Sequence, residues 1–222
     1  MKKLSLIIIS GLYLFTTSAF AEIGVNIGVS GSAGIFGATA KETHTTTATG
    51  STTADSASEI AAVGYGSIFL EKELGIIAIG IDYVPTPFES ETAETSKSDD
   101  QSANPAASSQ SMVTNTVQVD LTDLTTVYVS LMVTENAYVK AGYATMDVET
   151  NENLGTGSSY GNTSLDGTVY GVGYQKDLDA MFIRVEGTYM DFDGVSLTAN
   201  DNTIKLKNLD GLTGKLSIGK SF

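Results

Sequence analysis

The chain has 222 residues, no cysteine and a net charge of −14, with 26 acidic against 12 basic side chains. That balance argues against nucleic acid as a partner, whose phosphates need a basic footprint, and against polybasic docking on anionic lipid. Without cysteine there is no disulfide framework, no thiol nucleophile and no thiolate metal site.

The chain opens MKKLSLIIISGLYLFTTSAFAEIGV. Lys2 and Lys3 form a positive n-region, Leu4 to Phe15 an apolar h-region, and Ala19 and Ala21 put small side chains before Glu22. The apolar run is shorter than the roughly 20 residues of a spanning helix. The reading is a secretory signal peptide over residues 1–21, cleaved after Ala21, and one domain over residues 22–222. Cleavage removes two lysines and no acid, which takes the net charge from −14 to −16.

Beyond Ala21 the recurring pattern has period two, the signature of strands. The first segment, Ile23 to Gly37, sets Ile23, Val25, Ile27 and Val29 against Gly24, Asn26, Gly28 and Ser30. The second, Glu59 to Leu70, puts Ala61, Val63, Tyr65 and Phe69 on its apolar face. The third, Ile76 to Val84, alternates Ile77, Ile79, Ile81 and Tyr83 with Ala78, Gly80 and Asp82. The fourth, Val113 to Val133, has one odd-numbered apolar face from Val117 through Leu121 to Val133, with a candidate break near Asp120 to Thr125. In the fifth, Tyr138 to Glu149, Val139, Ala141 and Tyr143 oppose Lys140 and Gly142. In the sixth, Gly167 to Lys176, Tyr170, Val172 and Tyr174 oppose Gly171, Gly173 and Gln175. In the seventh, Met181 to Leu197, Ile183, Val185 and Tyr189 oppose Arg184, Glu186 and Thr188. The eighth, Thr203 to Phe222, ends with Leu212, Leu216, Ile218 and Phe222 on one parity.

The connections alternate in length. EKELG, TENA and DLDA are tight turns, while ATAKETHTTTATGSTTADSAS, PTPFESETAETSKSDDQSANPAASSQS and TNENLGTGSSYGNTSLD are long, and TANDN is a shorter hairpin. Long loops on one side and short turns on the other are the rhythm of a membrane barrel. The long connections are Thr, Ser, Ala and acid, a composition that buries no core and predicts solvated, mobile loops.

The two faces decide between solvents. The face opposite the apolar one is mostly Gly, Ala, Ser, Asn and Gln, too poor in Lys and Glu for a water-facing surface. Glycine weakens a solvated strand but suits a narrow interior. The prediction is therefore an all-β fold, an eight-stranded antiparallel up-and-down transmembrane barrel with a small polar lumen. Its few interior charges, Asp82, Lys140, Arg184 and Glu186, form a network in which Lys140 and Arg184 pair with Glu186 and Asp82. Tyr65, Phe69, Tyr83, Tyr143, Tyr170, Tyr174, Tyr189 and Phe222 fall at strand ends, as interfacial girdles do.

Taken together, the AFA site, GVNIGVS, IIAIGIDYVP, AYVKAGY, GVGYQKDL, MFIRVEGTYMDFDG and the terminal GKLSIGKSF resemble the small outer-membrane β-barrel family of Gram-negative bacteria. This is the class of the OmpA transmembrane domain, OmpX and the opacity-type proteins. The resemblance covers residues 22–222 and implies short periplasmic turns, long extracellular loops and an outer-membrane location. It implies contact with outer-membrane lipid and lipopolysaccharide, delivery by the outer-membrane assembly machinery, and a monomer. The assembly signal carries over onto Leu216, Ile218 and Phe222, with Lys220 departing from the usual apolar residue two before the end. With Phe222 as the last residue, no wall-binding domain is expected, and a tether to the cell wall is not implied.

The chemistry expected is sparse. His44 is the only histidine and lies in the Thr-rich first loop, where it reads as a solvated residue. DFDG at Asp191 to Gly194 and SDD at Ser98 to Asp100 lack the spacing of an EF-hand and read as an acidic rim. GTGSSYG has no helix after it to cradle a phosphate. No catalytic residue, metal or cofactor is expected. The function that follows is a non-enzymatic barrel with a structural or surface-interaction role through acidic loops. A narrow pore for small or apolar solutes is the alternative, and a soluble exported binding barrel ranks below it.

Overall fold

The computed structural model describes residues 24–46, 51–85, 88–89, 93–100, 110–153, 159–199 and 202–222. The signal residues Ala19, Ala21 and Glu22 lie outside the described residues, as do the side chains of His44, Val117 and Val119.

Every described element is a strand: β1 Val25–Thr46, β2 Ser51–Leu74, β3 Ile77–Tyr83, β4 Phe88–Glu89, β5 Ala93–Asp100, β6 Gln110–Met132, β7 Ala137–Asn153, β8 Thr163–Leu178, β9 Met181–Phe192, β10 Val195–Ala199 and β11 Asn202–Ser221. All pairings are antiparallel, in the order β1-β2-β3-β6-β7-β8-β9-β11, and β11 pairs back onto β1. β4 and β5 continue the lane of β3 along β6, and β10 continues the lane of β9 along β11. The result is a closed barrel of eight staves. Closure of β11 onto β1 joins the two ends of the sheet, which is what allows strands to cross hydrocarbon. The seam runs from Asn26↔Ser221 to His44↔Asn202. It is fastened at the last residue, where the Val25 N–H donates to the Phe222 carbonyl at 3.2 Å and the Phe222 N–H to the Val25 carbonyl at 2.8 Å.

One end of the barrel has tight turns. Gly75, at φ 76°, and Ile76 join β2 to β3, and Asp179, at φ 56°, with Ala180 joins β8 to β9. Between β6 and β7 the Thr134 hydroxyl accepts the N–H groups of Asn136 and Ala137 at 3.3 and 2.9 Å. At the other end the long connections are not plain loops. β1 and β2 stay paired from Gly37↔Ile60 out to Thr46↔Ser51, β5 pairs with β6 out to Asp100↔Gln110, and β10 with β11 out to Ala199↔Asn202. These ribbons need no core, because each strand satisfies its backbone against its own hairpin partner, and threonine's branched Cβ favours the extended chain.

Two bulges change the parity of the wall. The β6–β7 register shifts between Thr122 and Thr125, with Asp123 at φ 55°. Beyond the shift Leu121 packs inward opposite buried Val148, so the odd-numbered face expected to run from Val117 to Val133 is split in two. The β1–β11 register shifts between Gly37 and Thr39, beside Asn208 at φ 53°.

Candidate functional site

The outer wall is apolar. Ile77, Ile79 and Ile81 on β3, Val127, Val129 and Leu131 on β6, Val172 on β8, Ile183 and Val185 on β9 and Leu212, Leu216 and Ile218 on β11 are all exposed. Tyr143, Tyr170, Tyr174 and Tyr189 point outward with them. A continuous apolar surface of this extent is unsuited to water and suited to hydrocarbon. Tyr65 and Phe69 depart from this girdle: both are buried inside the barrel. They share a parity with Ser67 and Glu71, while Ile68 and Leu70 take the outer face, so apolarity alone misplaced them.

The lumen is filled in two layers. Towards the turn end it is a polar network centred on Arg184, which is 7% exposed. Its Nη1 and Nη2 donate to Glu71 Oε2 and Oε1 at 3.2 and 3.0 Å, a bidentate fork. Its Nε and Nη2 donate to Gln175 Oε1 at 3.1 and 2.6 Å. The guanidinium sits 4.9, 5.2 and 5.5 Å from the ring centres of Phe182, Tyr138 and Phe69. Glu71 also accepts from Asn26 Nδ2 and the Tyr128 hydroxyl, both at 3.1 Å. Next to this cluster Lys140 Nζ donates to Glu186 Oε1 at 2.7 Å and lies 4.3 Å from the Tyr128 ring centre. Glu186 is completed by the hydroxyls of Tyr138 and Thr188 at 2.7 and 2.9 Å. Lys215 and Asp82 form a third close ion pair.

Asp82, Lys140, Arg184 and Glu186 are all buried in the interior, and Lys140 pairs with Glu186 as expected, but Arg184 and Asp82 do not pair with each other. Arg184 pairs with Glu71 and Asp82 with Lys215, leaving Lys140 and Glu186 to each other. Glu71 was missed because EKELG looks like a turn, whereas β2 runs on to Leu74 and turns Glu71 inward. Its parity with Tyr65 and Phe69 was the available signal. Lys215 lies on the polar parity of the closing strand, and only the register across the lumen reveals its partner. The six charges of these pairs sum to zero, so each buried charge is compensated within the network.

Glycines fit the rings into this space. Gly28, Gly80, Gly173 and Gly219 stand directly opposite Phe69, Tyr128, Tyr138 and Phe182 in the ladders. A Cβ at each would lie 2.2–2.4 Å from a ring atom of that partner. The rings that contact Arg184 and Lys140 thus occupy the space left by four glycines.

Towards the ribbon end the lumen is not polar as expected. Val84, Leu124, Ala144, Met146, Val148, Leu165, Val169, Met190, Phe192 and Leu209 pack with Tyr65 into an apolar plug. On these stretches the outward positions carry Thr145, Asp147, Asp166, Thr168 and Asp191, so the alternation persists with its sense inverted, apolar inside and polar outside. A cavity of about 10 Å³ separates plug from network, with Asp82, Lys140, Glu186 and Lys215 on one side and Tyr65, Val84, Leu124 and Met190 on the other. That is room for about one water.

No family model matches the sequence, and no curated protein matches it. Solved structures do: 38 chains match by fold. The outer membrane protein OprG from Pseudomonas aeruginosa matches with a TM-score of 0.55 over 90% of this chain and 96% of that one, at 11% identity. The chain has the fold of a small outer-membrane β-barrel. Looser matches are Ail, the attachment invasion locus protein of Yersinia pestis, solved in complex with the heparin analogue sucrose octasulfate (TM-score 0.38, 12% identity, 89% of this chain and 99% of that one), and Neisserial surface protein A (TM-score 0.41, 11% identity, 90% and 97%). At such identities the likeness is one of fold, and function has to be argued from the chain's own surfaces.

Proposed function

We propose that this is an integral outer-membrane protein with a non-enzymatic role: a sealed barrel that holds acidic ribbons at the cell surface. The observation that carries the reading is an apolar exterior around a lumen filled by three balanced ion pairs and an apolar plug. An eight-stranded barrel has room inside for side chains and little else, and the cavity between network and plug has room for about one water. In this reading export ends with cleavage after Ala21, the turns face the periplasm and the ribbons face out. Leu216, Ile218 and Phe222 form the signal read by the assembly machinery. The barrel is a monomer in contact with outer-membrane lipid and lipopolysaccharide.

Planar-bilayer recording on the refolded mature chain tests this. A silent bilayer with the protein inserted, as judged by protease protection, is the expected result. Discrete conductance steps would sink the sealed barrel.

A second reading, entry of small apolar solutes from the ribbon end, rests on two observations. The upper lumen is lined by the apolar plug. The β2–β3 ladder is also short: it ends at Ile68↔Tyr83, while the β1–β2 ladder continues to Ser51. Uptake of a fluorescent apolar probe into the inserted barrel, quenched by filling the plug with Ala144→Phe, would favour it.

A further inference from the structure

The mature chain is strongly acidic, yet three lysines gather on one outer face above the apolar wall. Lys41 stands directly opposite Lys205 in the β1–β11 ladder, and Lys207 stands opposite Thr39. All three are exposed. None has an ion-pair or hydrogen-bond partner among the described residues. Like charges facing each other across a ladder are destabilising, and an anion bound between them would relieve that cost.

A bulge creates the cluster. Leu212 faces outward below it, and Leu209 is buried in the plug. The register shift beside Asn208 then rephases the strand, so that Leu206 packs inward and Lys205 and Lys207 come onto the outer face. Bulges re-aim side chains in this way. Hydroxyls frame the lysines: Ser56 is opposite Lys41 on β2 and Ser196 opposite Lys205 on β10, with a Thr39–Ser58 hydroxyl pair at 3.1 Å beside them.

Height selects the partner. From Ile35, the last large apolar residue on the outer face of β1, to Lys41 the strand runs about 20 Å at about 3.3 Å per residue. At a tilt of about 40° that is roughly 15 Å of height. Phospholipid headgroups add only about 5–7 Å to each side of the hydrocarbon. A glycolipid whose phosphates extend along a sugar core reaches the lysines, and it lies beside the barrel, where they point. We propose that Lys41, Lys205 and Lys207 form a binding site for the phosphorylated sugar headgroup of lipopolysaccharide in the surrounding leaflet. The inference deepens the outer-membrane reading and rests on it.

The test uses the mature barrel refolded in zwitterionic detergent, with folding checked by circular dichroism and insertion competence by protease protection in vesicles. Affinity is measured for labelled lipopolysaccharide, for the same material with its phosphates removed, and for heparin. Each lysine near an anionic surface is worth about fivefold, so the triple variant Lys41→Gln, Lys205→Gln, Lys207→Gln should bind about 100-fold more weakly. Wild-type protein should lose a comparable factor on dephosphorylated material, and the triple arginine variant should bind like wild type. The proposal is overturned if the glutamine variant binds as wild type does, if its loss does not depend on phosphate, or if heparin binds and lipopolysaccharide does not. A barrel that inserts without lysine-dependent binding refutes this site alone, whereas a chain that never inserts refutes the outer-membrane reading with it.

Discussion

Replacing Arg184 by methionine should destabilise the barrel by about 3–5 kcal/mol, the cost of leaving a buried charge without its partner. Glu71 is 2% exposed and accepts four hydrogen bonds, two of them from the guanidinium at 3.2 and 3.0 Å. Charge-assisted bonds contribute roughly 1.5–3 kcal/mol each, so losing two agrees with that range. Asn26 and Tyr128 remain but bring no positive charge. Methionine keeps an apolar side chain against Phe69, Tyr138 and Phe182, so what is lost is the set of bonds to Glu71 and Gln175. The decisive comparison is the double variant Arg184→Met with Glu71→Gln. A neutral amide keeps the Tyr128 and Asn26 side chains in reach without stranding a carboxylate, so the double variant should recover at least about 2 kcal/mol, a coupling typical of residues in one network. Urea unfolding in lipid vesicles, followed by far-ultraviolet circular dichroism because the chain has no tryptophan, measures both. A cost below about 1 kcal/mol for the single variant, or purely additive losses, would refute the view that this pair holds the lumen together.

The remaining predictions use the same unfolding assay. Gly173→Ala places a Cβ 2.2 Å from the Tyr138 ring and should cost about 1–3 kcal/mol by overpacking, whereas Gly187→Ala, with open space around it, should be close to neutral. Val129→Arg, on the exposed outer wall, should cost about 2–4 kcal/mol in a bilayer. Much smaller losses would mean that this wall does not face lipid. Removing Phe222 takes away the two backbone bonds to Val25 and should lower the yield of inserted barrel in a reconstituted assembly assay more than it lowers the stability of barrel already inserted.

The outer face was legible in the sequence because lipid imposes one rule on every stave. Ile77, Ile79 and Ile81, or Ile183 and Val185, report their orientation without knowledge of any neighbour. The interior follows no such rule. Glu71 is inward because of Arg184, 113 residues away, and Lys215 because of Asp82, 133 residues away. Neither partnership leaves a local pattern. Gly173 and Gly187 look alike in the sequence, yet one lies under a ring and the other meets nothing, a difference set by register alone. The shifts at Thr122/Thr125 and Gly37/Thr39 were harder still, since each reverses parity within a stretch that keeps its strand composition.

The distribution of charge ties these levels together. Inside the barrel three acids meet three bases in close pairs, so their burial is tolerated. The excess acid must then lie outside the lumen, at the turns and on the ribbons, where water solvates it. Against that background Lys41, Lys205 and Lys207, which have no partner among the described residues, stand together because a bulge puts two of them there. A strand optimised only for pairing would have kept its register through Asn208, which carries an unfavourable φ of 53°. Retaining that cost at a single point, directly below three lysines that have no partner among the described residues, is what the proposed anion-binding surface explains.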